Sequence, residues 1–330
     1  MRMTVVELSR LKWADIAKGI GIVLVVWGHS SLPFEFRKWI YSFHMPLFFI
    51  LSGYFYKSHK YGFTDFFLRK VRTLIVPYFF FGLLTWFILS FINSSEFSPH
   101  TLNRFLISGA GNEPIWFLFT LFLVSIIHFL LDYLLSFIKN KRKRLYAWVF
   151  VCLCCLMISH ALVIEFHYYP AYHLNTVPHF LFFYILGWLK LVEGRTCSCK
   201  VLLSLLVIDI FFEHNLPYGI GTSENIYYWL LSYVLAFVGS SIVIGFSKKL
   251  ACADRPVFSK IIDVVAYFGR NSIIVLGLHH VLVQIIKLVF SPLLLPDYVS
   301  FPIRQLFLWI ILMLLISLLN KYTPFLIGKK

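Results

Sequence analysis

Two ionisable side chains inside an apolar stretch are the first candidates for chemistry in this sequence. Lys18 and His29 are separated by ten residues, and the segment from Ile16 to Ser30 that carries them is otherwise almost wholly apolar. In a helix, an eleven-residue step turns through about 1100°, so both side chains point from one face, roughly 16 Å apart. Asp15 lies one turn before Lys18 on the same side. Because ionisable groups within a membrane span are costly, this stripe predicts a functional site.

The two residue types suit different parts of a reaction. His29 is suited to take and return a proton near neutral pH, which makes it a candidate catalytic residue. Lys18, near the start of the segment, is suited to bind a phosphate as a compact cation. A structural role stays open for each: His29 can bond a neighbouring carbonyl in helix packing, and Lys18 can extend to the membrane interface.

The composition indicates an integral membrane protein. Of the 330 residues, 59% are hydrophobic, 19% are aromatic and only 14% are charged. The formal net charge of +15 is distributed in short clusters between apolar runs, so we expect lipid bilayer and no nucleic acid as partner. Apolar surface in such a protein faces lipid and is no evidence for a partner subunit, which leaves the oligomeric state open.

Apolar runs of about 20 residues predict an all-α, polytopic protein with about ten transmembrane helices. The predicted spans are 13–32, 39–56, 73–93, 115–138, 146–164, 175–191, 201–213, 226–246, 272–290 and 303–320. The span 201–213 is short and contains Asp209. Omitting it would invert the orientation of everything that follows, which the charge distribution disfavours. We expect a single membrane domain over residues 1–330, without an appended soluble domain.

The positive charges predict the orientation of the chain. All but five of the 30 lysines and arginines lie in the termini and in alternate connections between the spans. By the positive-inside rule, both termini are therefore expected in the cytoplasm, with the protein in the bacterial cytoplasmic membrane. The five cations expected on the opposite side are Arg37, Lys38, Arg104, Lys287 and Arg304.

The second span and the segment after it add further candidates. The span contains His44, which is expected to face the same cavity as His29, although an interhelical hydrogen bond stays an equal alternative. Pro46 and Gly53 would loosen this helix and permit the close approach of a neighbour. The basic cluster from Arg69 to Arg72 offers cations to a phosphate-rich nucleotide, or is ordinary cytoplasmic charge. Cys197 and Cys199 lack a second ligand pair, so no metal site is expected.

Several motifs together resemble one family. These are DIAKGIGIVLVVWGH from Asp15 to His29, FHMPLFFILSGYF from Phe43 to Phe55, and RKVRTLIVPY from Arg69 to Tyr78. They are similar to the amino-terminal signature of the acyltransferase-3 membrane family, closest to its sugar O-acetylase-like branch. The family's hallmark is an Arg or Lys, ten residues and a His. Later segments, PIWFL, FFYILGWL and GRNSIIVLGLHH, extend the resemblance over nearly the whole chain.

The resemblance implies transfer of an acyl group, usually acetyl, from cytoplasmic acyl-CoA to a carbohydrate hydroxyl. Acetyl-CoA is then a substrate and no tightly bound cofactor is expected. The acceptor is a surface polysaccharide or a lipid-linked sugar. The resemblance implies His29 as the catalytic residue and assigns the CoA phosphates to Lys18, Arg69, Lys70 and Arg72. We add Asp15, which shares the stripe, and His44, which is expected at the same cavity, as further catalytic candidates. The candidate residues for the acceptor are Trp116, Glu113, Asn271 and His279.

The sequence departs from the family pattern at two positions, and helix geometry bears on the choice between His279 and His280. Lys18 stands where many members carry Arg, and Trp116 begins a Trp-Phe-Leu segment where many have Trp-Ser-Leu followed by Glu. No nearby carboxylate replaces that Glu, although Glu113 precedes the span. His279 and His280 are neighbours that diverge by about 100° on a helix, so we expect one of them, His279, to face the cavity.

Two other functions fit a many-spanned, basic, aromatic-rich chain. A lipid-linked sugar flippase or polysaccharide exporter would move its substrate without acetyl-CoA and would tolerate loss of His29. A polysaccharide polymerase would change chain length without changing acetylation. His29, as general base, would deprotonate the sugar hydroxyl for attack on the thioester, and a covalent acyl-histidine stays possible.

Overall fold

The chain folds into a bundle of helices. A computed structural model describes residues 5–30, 32–57, 62–92, 102–103, 112–167, 171–192, 198–214, 220–252, 256–293 and 296–329. The helices are α1 (Val5–Gly28), α2 (Phe34–Tyr54), α3 (Phe63–Lys70), α4 (Val76–Ile92), α5 (Trp116–Ser136), α6 (Lys141–His160), α7 (Val177–Trp188), α8 (Cys199–His214), α9 (Ile226–Ala251), α10 (Pro256–Arg270), α11 (Ser272–Phe290) and α12 (Asp297–Tyr322). A π-helical turn, Val71–Ile75, joins α3 to α4.

The all-helical membrane class is confirmed. Each predicted span overlaps one helix, and no strand occurs within the described ranges. In the part of the chain that the structure describes, six helical segments are long and apolar enough to cross a bilayer: Phe63–Ile92, Glu113–Ser136, Lys141–Glu165, Ile226–Ala251, Ser272–Phe290 and Val299–Tyr322. The total of ten crossings stays a prediction. Asp209, in the short α8, accepts a hydrogen bond from the Trp39 indole at 3.0 Å, which links α8 to α2.

Helices α1 and α2 form the centre of the bundle. α1 packs against α2, α9, α10 and α11, and α2 packs against α7, α8 and α9. Beyond Lys18 the sequence of α1 is apolar up to Gly28, and Ile16, Ala17 and Val26 have no exposed surface. The stripe from Lys18 to His29 therefore lies in the interior of the protein.

Both ends of the described chain lie at one end of the bundle. Lys12 pairs with Asp263 of α10 at 2.9 Å, and Asp15 pairs with Arg270 at 3.6 Å. Next to Arg270, Asn271 accepts a hydrogen bond from the Lys329 ammonium at 2.8 Å. Burial, followed by the neighbouring charge of Arg270, lowers the pKa of Lys329. We call this the Lys18 end and the opposite one the His29 end.

Helix α10 is an addition to the predicted architecture. Its residues were expected to form a basic connection, yet α10 makes the most extensive helix contact of α1. Gly19 and Gly269 permit this approach, because a methyl group at Gly19 would overlap the Val265 carbonyl and one at Gly269 would overlap the Asp15 carbonyl. Small residues allow helix backbones to approach closely in a membrane protein.

Gly53 has the same role between α2 and α7, which confirms the close approach predicted for it. A methyl group there would overlap the Tyr184 carbonyl. We expect Gly53→Ala to destabilise the fold by about 1–3 kcal/mol, the usual cost of overpacking, measured as a lower melting temperature in detergent. Gly62→Ala is the matched control, because no atom lies within 4 Å of its new methyl group. Stabilisation by Gly53→Ala, as helix propensity alone predicts, would contradict this packing.

Candidate active site

His29 is held in one orientation and one tautomer by two hydrogen bonds. Its Nδ1 lies 2.9 Å from the Val25 carbonyl oxygen, and because a carbonyl only accepts, Nδ1 carries the proton. Nε2 is therefore the basic nitrogen, and it accepts a hydrogen bond from the Tyr41 hydroxyl at 3.2 Å. The arrangement leaves a proton acceptor at Nε2, as a general base requires.

Two further histidines of α11 surround His29. The ring centroid of His279 lies 5.3 Å from that of His29, and the centroid of His280 lies 5.5 Å from it. Both rings therefore pack against that of His29, and neither residue is part of the lining of the cavity beside His29, which His279 was expected to face. His279 is fully buried, with Nδ1 bonded to the Val275 carbonyl at 2.9 Å.

A cavity of about 360 Å³, which we call the histidine cavity, opens beside His29. His44 lines it, as predicted, and its Nδ1 donates to the Ile40 carbonyl at 2.7 Å. Tyr41 lies between the two histidines, with its ring centroid 5.0 Å from that of His44. The other polar residues of the lining are Glu113, Ser159, His173, Asn175, Thr176, His179 and Thr222. A lining of hydroxyls, imidazoles and aromatic rings is suited to a polyhydroxylated ligand.

Glu113 and Trp116, two predicted acceptor residues, also line the histidine cavity. Trp116 is the first residue of α5, and Glu113 lies just before it. The side-chain amide of the preceding Asn112 donates to the Thr85 hydroxyl at 2.9 Å and to the Gly277 carbonyl at 2.8 Å, which holds this segment in place. The Trp116 ring packs 5.4 Å from His173. Burial lowers the pKa of His173, although the Glu113 carboxylate opposes the shift.

Sequence reasoning missed several residues of this cavity. His179 bonds through Nδ1 to the Tyr233 hydroxyl at 2.7 Å, and that hydroxyl lies 2.9 Å from the Ser159 hydroxyl. These side chains come from α7, α9 and α6. Tyr41 could have been found, because it precedes His44 by three residues and so shares its helix face. The others carry no local signal.

A second cavity lies at the Lys18 end and contains most of the predicted phosphate residues. It measures about 470 Å³, and its cations are Lys18, Lys57, Arg69 and Lys70. We call it the basic cavity. No described residue of its lining is a carboxylate, so an anion would meet attraction from several sides. Arg72, in the π-helical turn, is absent from the lining.

Two predicted site residues lie elsewhere. Asp15 is about 21 Å from His29 along α1 and is paired with Arg270, so a direct catalytic role is excluded by distance. Asn271 is bonded at the Lys18 end: its amide donates to the Tyr267 carbonyl at 2.9 Å, and its oxygen accepts from Asn320 at 3.0 Å. It therefore fixes the start of α11 and is remote from the acceptor residues.

Apolar side chains separate the two cavities. Ile22 lies one turn after Lys18 and one turn before Val25 of the histidine cavity. With Phe48 and Phe117 it lines a space of about 20 Å³, which shares Met45 and Leu276 with the histidine cavity. The stripe on α1 thus runs from cations, past an apolar constriction, to a histidine.

The comparison with known proteins assigns this arrangement to a family. A family model described as an acyltransferase domain matches residues 11–320. No curated protein and no solved structure matches the chain. Within the described residues, no group of three or more His, Cys, Asp or Glu side chains could hold a metal ion. The matched range contains both cavities and the constriction between them.

Proposed function

The chain belongs to the acyltransferase-3 family of membrane acyltransferases, and from that membership we propose that it is an O-acetyltransferase of the sugar O-acetylase-like branch. It transfers an acetyl group from cytoplasmic acetyl-CoA to a hydroxyl of a surface or lipid-linked carbohydrate. The observation that carries this proposal is the pair of cavities on α1, with cations at one end and His29 at the other. Such a pair suits a donor and an acceptor that reach the protein from opposite sides of a bilayer.

In the proposed topology, ten helices cross the bacterial cytoplasmic membrane and both termini are cytoplasmic. The shared position of Lys12 and Lys329 at the Lys18 end supports an even number of crossings. The concentration of lysine and arginine in alternate connections supports the orientation. The basic cavity then opens to the cytoplasm, where acyl-CoA is made.

The donor binds in the basic cavity through its phosphates. Lys18, Arg69 and Lys70 converge there from α1 and α3, and Lys57 precedes α3. The Lys18 ammonium lies 5.8 Å from the centre of the Phe55 ring, and the Lys70 ammonium 5.4 Å from that of Phe66. These cation–π contacts hold the two ammonium groups in place without neutralising them. Ionic contacts to phosphate are stronger than neutral hydrogen bonds.

The thioester end of the donor extends along α1 towards His29. Ile22, Phe48 and Phe117 leave about 20 Å³ between them, room for about one water molecule. These side chains must therefore move apart when the acyl chain passes. A closed constriction keeps water and ions from crossing between transfers.

His29 then acts as the general base. Its Nε2 takes the proton of the acceptor hydroxyl, which replaces the Tyr41 hydroxyl at that nitrogen. The acceptor oxygen attacks the thioester carbonyl, the carbon–sulfur bond breaks, and CoA leaves as a thiol after receiving the proton from His29. In the alternative route the acetyl group is first carried on Nε2. Labelled acetyl-CoA without acceptor would leave label on the protein in that route alone.

The test of the proposed function is turnover of acetyl-CoA by the purified protein. Release of free CoA is measured in detergent with and without an extract of lipid-linked sugars or surface glycan. We expect release that depends on the acceptor. Absence of turnover with every common acyl-CoA would contradict acyl transfer and favour transport of lipid-linked sugars.

A further inference from the structure

A third cavity lies at the His29 end and meets the active site at His29. It measures about 270 Å³, and its cations are Arg37, Lys287 and Arg304. We call it the arginine pocket. His29 is the residue that its lining shares with the histidine cavity. A ligand in the arginine pocket is thus in direct reach of the proposed catalytic base.

The three cations converge from separate helices. Arg37 lies in α2, Lys287 near the end of α11 and Arg304 near the start of α12. They are three of the five cations that the positive-inside rule leaves on the far side of the membrane. Among the described residues, the lining of the arginine pocket contains no carboxylate. Three like charges around one cavity repel each other, so an anion held among them would relieve that repulsion.

The pocket also contains polar atoms without partners. Arg37 Nε is buried and makes no hydrogen bond within the described structure, and the same is true of Gln305 Oε1. The Gln305 amide nitrogen donates to the Ser30 hydroxyl at 2.8 Å, which fixes the side chain beside His29. Buried polar groups nearly always make a hydrogen bond, so these two atoms indicate a ligand that forms hydrogen bonds with them.

The remaining wall is apolar and adjoins the lipid-facing surface. Val283, Ile286, Phe301 and Leu308 complete the lining. On α12, between the pocket residues Gln305 and Leu308 in the sequence, the side chains of Leu306 and Phe307 are exposed, as suits contact with lipid chains. A ligand for this pocket has an anionic group for the cations and a hydrocarbon chain for the wall and the bilayer.

We propose that the arginine pocket binds the phosphate headgroup of a lipid-linked carbohydrate, which is the acetyl acceptor. The phosphate lies among Arg37, Lys287 and Arg304, the lipid chain leaves along α12, and the sugar reaches Nε2 of His29. This inference rests on the proposed function and narrows its acceptor from carbohydrates in general to those carried on a lipid phosphate.

The test is a binding measurement without acyl donor. Geranylgeranyl phosphate, geranylgeraniol and inorganic phosphate are titrated into the purified protein and followed by native mass spectrometry. We expect the lipid phosphate to bind at least tenfold more tightly than the alcohol or inorganic phosphate. Arg37→Gln combined with Arg304→Gln should remove this preference, and Lys287→Gln alone, an exposed site, should reduce it. Lys321→Gln, at the other end of α12, is the matched control.

The possible outcomes separate this inference from the proposed function. Equal binding of the lipid phosphate and the alcohol, or a preference that survives the double variant, would overturn the phosphate site. Inorganic phosphate binding as tightly as the lipid phosphate would overturn a lipid-borne ligand. Acetyl transfer to a neutral glycan that the double variant retains would refute the inference and leave the proposed function intact. Unchanged melting temperature and unchanged acetyl-CoA binding verify that the double variant is folded.

Discussion

Replacing His29 by alanine is expected to lower kcat for acetyl transfer by about 10²–10⁴-fold, the contribution of a positioned general base. Two hydrogen bonds fix the orientation of the His29 imidazole and leave Nε2 as the nitrogen that can accept a proton. Affinity for acetyl-CoA should stay within about twofold, because the basic cavity lies roughly 16 Å away along α1. The measurement is CoA release under saturating donor and acceptor, together with direct binding of acetyl-CoA.

Two controls separate catalysis from packing. His29→Gln keeps a side chain that can donate to the Val25 carbonyl but removes the basic nitrogen, so it should be as inactive as His29→Ala. His167→Ala removes an exposed histidine whose ring bonds the Val163 carbonyl at 3.3 Å, and it should be fully active. Activity of His29→Gln near that of the unaltered protein would refute the role of His29 as base.

The double variant Lys18→Ala, Lys70→Ala is expected to raise KM for acetyl-CoA by roughly 100-fold, with a much smaller change in kcat. Each ammonium group supplies one ionic contact to the donor phosphates, and such a contact contributes about 1.5–3 kcal/mol, or tenfold and more in affinity. The KM of the unaltered protein should rise with ionic strength, while that of the variant should depend on it less, because salt screens the attraction.

A donor that lacks the CoA phosphates tests whether Lys18 and Lys70 act by binding those phosphates. With acetyl-pantetheine, the unaltered protein and the double variant should have equal KM values. Lys139→Ala, which removes an exposed cation between α5 and α6, should leave the KM for acetyl-CoA unchanged. If the double variant lost affinity for acetyl-pantetheine as well, the two lysines would act on folding or on another part of the donor.

The local predictions succeeded where one helix decides the outcome. Lys18 and His29 share a face because both belong to α1, and that face lines two cavities, as their spacing indicates. His44 belongs to α2, which directly follows α1 and packs against it, and it lines the histidine cavity. Arg72 lies in the π-helical turn Val71–Ile75, where side chains point in directions that differ from those of an α-helix, and it does not line the basic cavity.

The sequence by itself determined the membrane class, the positions of the helices that overlap the ten predicted spans, the family and the stripe from Lys18 to His29. Composition and the period of a helix are local properties, and they persist in any packing of the bundle. Only the tertiary structure decided which distant residues meet. In the folded protein His280 contacts His29, and His179 is hydrogen-bonded to Tyr233. Asn271 lies at the Lys18 end, and Arg37 and Arg304 line the same pocket. Those contacts depend on where the helices cross. The crossing points are set by side-chain volumes and by glycine contacts spread over the whole chain.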